Sequence, residues 1–134
     1  MSNELNTPKM LYCPADSTHD MYATNFGGDL KNKISYFIGL DSTPETTNTF
    51  LSGDENFILN NSPVEHGIIN VASNASLTWD TSRHVYESQG WFKKARSPRG
   101  NILLGDDSVQ TATFYGLQNL VHQTGLATNR LAIP

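Results

Sequence analysis

A chain of 134 residues is long enough to bury a core without covalent staples, and it reads as one domain spanning 1–134. Its formal net charge is −4 with only nine Lys and Arg, so no basic field exists to release counterions, and broad nucleic-acid or anionic-membrane binding is excluded. Hydrophobic residues make up 37% and charged residues only 16%, which leaves a surface carried by Asn, Thr and Ser, a balance that suits secreted or surface proteins. Cys13 is the only cysteine, so no internal disulfide can form, and a buried structural thiol is its expected fate. No run of 18 apolar residues and no signal-peptide core is present.

Taken in order, residues 1–9 are polar, with Asn6-Thr7-Pro8 as a turn or helix-stop signal, and Met10–Cys13 is a short apolar run that reads as extended. Ala15–Asn25 is polar and irregular, and Gly27-Gly28 marks a loop. Ile34–Leu40 is the best strand: it is β-branched, aromatic and apolar at nearly every position, which predicts a central strand covered on both faces. A turn follows at Asp41–Glu45, then Thr49–Asp54 as a second strand able to pair antiparallel with the first. The pattern predicts loop over 55–67, a short apolar run over Gly67–Val71, a strand over Ser76–Trp79, and loop over Asp80–Trp91.

Near the end, Asn101–Leu104, the turn formers Gly105-Asp106-Asp107-Ser108 and the alternating Val109–Tyr115 spell a β-hairpin. Leu117, Leu120 and Val121 have helical spacing, with Gly125 as a C-terminal stop, and the apolar tail Leu131–Pro134 is expected to dock on the sheet. Short strands, turn-rich loops and little helix predict an α+β fold built on an antiparallel β-sheet.

The pattern carries no catalytic apparatus. His19, His66, His84 and His122 include no i,i+4 pair and no H-E-x-x-H, so a zinc site would need ligands far apart in sequence. There is no G-x-S-x-G elbow, Walker loop or G-x-G-x-x-G. Carboxylates adjoin at Asp54-Glu55 and Asp106-Asp107. The second pair, on a turn, is the candidate metal site, with calcium as the ion because it accepts carboxylate and backbone oxygens in flexible geometry; turn-capping acids in water are the competing reading. Trp79, Trp91 and Tyr86 could form a sugar platform, although such residues more often sit in cores. Lys93, Lys94, Arg96 and Arg99 form the one local basic cluster and read as a solvated loop.

Several stretches carry a resemblance. Asn3–Asp16 (NELNTPKMLYCPAD), Ile34–Asp41, Phe50–Asn56, Gly100–Gln110 and Asn129–Pro134 (NRLAIP) resemble, in the same order, segments of Verrucomicrobia-type members of the prepilin-like superfamily of type IV pilins and type II secretion pseudopilins. The resemblance implies a pilin-like globular head that is a non-enzymatic subunit of a pseudopilus or pilus-like filament. Its partners would be other pilin-like subunits, its location extracytoplasmic, and its only membrane link an N-terminal hydrophobic helix. Family members carry that helix; here Met1 falls near where it would end. The alternative is an extracellular carbohydrate- or calcium-binding module. Two departures stand out: the family's Asp-Gly turn is Asp106-Asp107 here, and Val85–Arg99 is longer than usual.

Overall fold

In the computed structural model, the residues described are 5–19, 21–27, 30, 33–83 and 98–134. Nine strands are assigned among them: β1 (Tyr36–Gly39), β2 (Phe50–Asp54), β3 (Phe57–Leu59), β4 (Ser62–Pro63), β5 (Gly67–Ala72), β6 (Leu77–Trp79), β7 (Arg99–Leu104), β8 (Val109–Thr113) and β9 (Thr128–Ile133). One α-helix, α1 (Phe114–Gln123), and a 3-10 helix at Pro8–Leu11 complete the set. A six-stranded antiparallel sheet runs β5-β9-β1-β2-β7-β8, and a three-stranded one runs β4-β3-β6. The fold is α+β and mostly β. No helix among the described residues is long and apolar enough to cross a membrane.

The core fills the space between the inner face of the large sheet and a cover made of the small sheet and α1. Phe37 on β1 meets Phe57 on β3 with ring centroids 5.4 Å apart, and Phe57 stacks on Trp79 of β6 at 5.2 Å. The indole reaches across to Gly100 on β7, where a Cβ would come within 2.6 Å of the ring, and its Nε1 donates to Ala112 O at 2.9 Å. From α1, Leu117 and Val121 are fully buried in the same cluster. Gln118 pins the helix to the small sheet by accepting from Leu77 N and donating to Ala75 O.

Four local expectations are corrected. Pro8 begins a helix rather than ending one: Thr7 caps it by accepting from Lys9 N, and a proline in the first turn has no amide to waste. Residues 55–67 are not all loop, because Asn60 and Asn61 both adopt positive φ (50° and 68°) and turn β3 into β4. The strand beginning at Val109 stops at Thr113, whose hydroxyl accepts from Gly116 N and starts α1 three residues before Leu117. Gly125, with φ 71°, does follow the helix end.

The fourth correction concerns β1, which is central and fully covered on one face, while on the other Ile38 is exposed and the segment at Cys13 and Ala15 flanks a hollow shared with Tyr36, Ser52, Leu103 and Val109. Phe37 is buried while Ile38 is 52% exposed. Register partners extend from Ile38 in both directions on that outer face, through Ala132 to Ile68 and through Ser52 and Leu103 to Val109. Ile68 and Val109 are 66% and 61% exposed. A mostly apolar row therefore crosses all six strands, about 24 Å at usual strand spacing. Polar pairs flank it: Arg130 with Asp41 on one side, Thr111 with Asn101 on the other.

Candidate functional site

Three separate segments converge beside the ends of β2 and β6. A turn after Pro14 brings Asp16 inward, and its Oδ1 accepts from Thr18 N at 3.0 Å and Thr18 Oγ1 at 2.6 Å. That local loop turns His19 back so that its Nδ1 lies 2.9 Å from Asp16 Oδ2. Ser17 ties the segment to the next one, donating through N and Oγ to Arg83 O at 2.7 and 2.8 Å. A second turn, in which Asp80 Oδ1 accepts from Ser82 N and Oγ, presents Arg83. Glu55, the residue after β2, completes the group: its Oε1 accepts from Arg83 Nη2 at 2.6 Å.

Asp16, His19 and Glu55 are all buried. One ligand atom from each lies within 4.8 Å of the others, the one such grouping of His, Cys, Asp and Glu found among the described residues. Burial by itself would raise the Asp16 carboxyl, but the Thr18 hydroxyl and amide and the His19 ring hold it below its usual range. Glu55 goes the other way: burial pushes its carboxyl up, and the Arg83 guanidinium offsets this only in part. Its Oε2 is buried and has no hydrogen-bond partner among the described residues. Beside the cluster opens a cavity of ≈ 530 Å³ lined in part by Thr18, His19, Val64, His66 and Arg83.

The chemistry open to this group is cation or proton binding. An Asp that orients a His through Nδ1 is also the arrangement of a general-base pair; among the described residues the hydroxyl bonded to the ring is that of Thr18, which lies 3.1 Å from Nδ1 and 2.6 Å from Asp16, as part of the turn.

The sequence-derived candidates fall elsewhere. Asp106 and Asp107 lie exposed in the β7–β8 turn; Asp106 Oδ1 accepts from Ser108 N at 3.0 Å, which holds its carboxyl below the usual range. Asp107 takes φ 64°, so the left-handed turn survives without glycine. Neither belongs to the ligand grouping. Trp79 is 3% exposed and stacked in the core, so it offers no sugar platform. Trp91, Tyr86, His84, Lys93, Lys94, Arg96 and nearly all of Val85–Arg99 lie outside the described residues, as do Gly28 and the first residues of the resemblance. Cys13 is half-buried, and burial raises its thiol.

Sequence reasoning singled out His19 and the Asp54-Glu55 pair but did not join them. Asp16 and Arg83 carried no signal, beyond the D-S-T-H and D-T-S-R turn sequences that present them. Comparison with protein-family models, curated proteins and solved structures found no match.

Proposed function

We propose that the chain is a non-enzymatic structural subunit, the globular head of a type II secretion pseudopilus or a pilus-like filament, and that the outer face of its large sheet packs on an apolar helix of that filament. The observation that carries this reading is the Ile68–Ala132–Ile38–Ser52–Leu103–Val109 row, mostly apolar, continuous over six strands and rimmed by polar pairs. Apolar surface of that extent marks a contact face. Its span of about 24 Å equals the length of about 16 helical residues. The ordered resemblance to prepilin-like proteins supplies the identity of the filament. The face would act by burying its Ile and Val side chains, each worth about 1.5–3 kcal/mol when fully covered.

The DNA upstream of the Met1 codon tests the reading directly. An in-frame apolar segment of about 20 residues supports it; a complete unrelated domain there would sink it. In the filament-forming organism, Ile38→Asp should block incorporation of the subunit while circular dichroism of the purified head stays unchanged. Normal assembly with a charge at that position overturns the proposed face.

A further inference from the structure

We propose that Asp16, His19 and Glu55 form a binding site for a single zinc ion that clasps the segment around residues 13–19 to the end of β2. The proposal is independent of the filament reading and uses a different part of the molecule. Two observations carry it: the mutual closeness of the three ligand atoms, and the buried Glu55 Oε2 that no donor among the described residues reaches.

Charge points the same way. Asp16 and Glu55 bring two buried carboxylates to the group, and Arg83 brings one guanidinium, which reaches only Glu55. A buried carboxylate oxygen without a donor is costly, and a cation bound to it removes the cost. The donor set selects the ion. Imidazole with two carboxylates suits zinc, whereas calcium takes six to eight oxygens and gains little from an imidazole. His19 Nδ1 and Asp16 Oδ2 lie 2.9 Å apart, so for bonds near 2.1 Å at the tetrahedral angle they need to part by only about 0.5 Å to share one ion. A Glu55 carboxylate oxygen is the third ligand; with one ligand atom of each residue within 4.8 Å of the others, reaching the tetrahedral spacing of about 3.4 Å closes the longest possible gap by about 1.4 Å.

The surroundings fit a built site. Thr18 fixes Asp16 through its other oxygen, and Arg83 fixes Glu55 through Oε1, so both carboxylates are oriented by groups that are not ligands. The cavity lined by Thr18, His19 and Arg83 gives an entry path and leaves room for water as a fourth ligand.

Isothermal titration of the chelator-stripped chain with zinc chloride near neutral pH tests the site, with calcium and manganese chlorides titrated alongside. The expected result is one zinc per chain, at least tenfold tighter than calcium. Glu55→Gln and His19→Gln should each weaken zinc at least tenfold, while Asp106→Asn and His122→Gln stay within twofold. Nuclear magnetic resonance of the wild-type histidine rings provides a readout that needs no variant to fold: zinc should shift the His19 signals at one equivalent. No binding at one equivalent, calcium binding as tight as zinc, unperturbed His19 signals, or full affinity in Glu55→Gln would each overturn the assignment.

Discussion

Replacing Arg83 with Ala asks whether the guanidinium is what makes a buried carboxylate tolerable at Glu55. The Glu55 side chain is 3% exposed; its Oε1 is held by Arg83 Nη2 at 2.6 Å and its Oε2 by no group among the described residues. Without Arg83, Oε1 loses its donor as well and neither oxygen keeps one, and the Asp16 carboxylate, which already acts to raise the Glu55 carboxyl, goes unopposed by the guanidinium. Removing one partner of a buried ion pair costs about 3–5 kcal/mol, roughly a fifth or more of the stability of an ordinary domain. For a chain of this length that is a fall in Tm of about 10–20 °C. Urea denaturation followed by circular dichroism, with a chelator present, measures the cost in the wild type, Arg83→Ala, Glu55→Gln and the double variant. Because Gln at 55 carries no charge to strand, the double variant should recover about 2 kcal/mol relative to Arg83→Ala alone. A cost below about 1 kcal/mol for Arg83→Ala, or no recovery in the double variant, would refute the reasoning.

Three further outcomes are expected. Gly100→Ala should destabilise by about 2–3 kcal/mol in urea denaturation, because its Cβ would stand 2.6–2.9 Å from three indole carbons of a ring that is stacked on Phe57 and hydrogen-bonded to Ala112; a cost within about 0.5 kcal/mol would mean that the ring is free to move. Asp107→Gly should stabilise by about 0.5–1 kcal/mol, since φ 64° strains an L-residue and not glycine, and a lower urea midpoint would contradict this. Burial, with the neighbouring Cys13 and Asp54 charges, pushes the Tyr36 phenol up to about 12 from 10.0, so the folded state holds that proton longer than the unfolded one. Its contribution is complete below pH 10 and is lost as pH rises from 10 to 12, so stability should fall across that window and Tyr36→Phe should flatten the fall; equal slopes for both proteins would count against it.

How much was legible depends on how local the cause was. The strand at Tyr36–Gly39, its antiparallel partner Phe50–Asp54 and the β7–β8 hairpin could be read because apolar runs bounded by turn residues declare themselves within a few positions. Asn60-Asn61 misled because asparagines serve both loops and tight left-handed turns, and only the pairing of Ile58 and Leu59 with Pro63 and Ser62 shows which applies. The tail Leu131–Pro134 reads as docking on the sheet, and all of it but Pro134 belongs to a full strand, Thr128–Ile133, seated between β5 and β1. His19 and Glu55 each drew notice as single residues, but Asp16 and Arg83 look like ordinary turn neighbours until three distant segments are brought together.

By itself the sequence determined the class: low charge, alternating short strands and turn punctuation admit a mostly antiparallel α+β fold, because side-chain period and turn preference act over a few residues. Tertiary structure alone decided which face of β1 leaves Ile38 exposed and which carboxylates share a buried space. Those depend on strand order and loop convergence between segments far apart in the chain. Hydrophobic burial and charge desolvation are properties of what surrounds a group in space, and neighbours in sequence do not specify them.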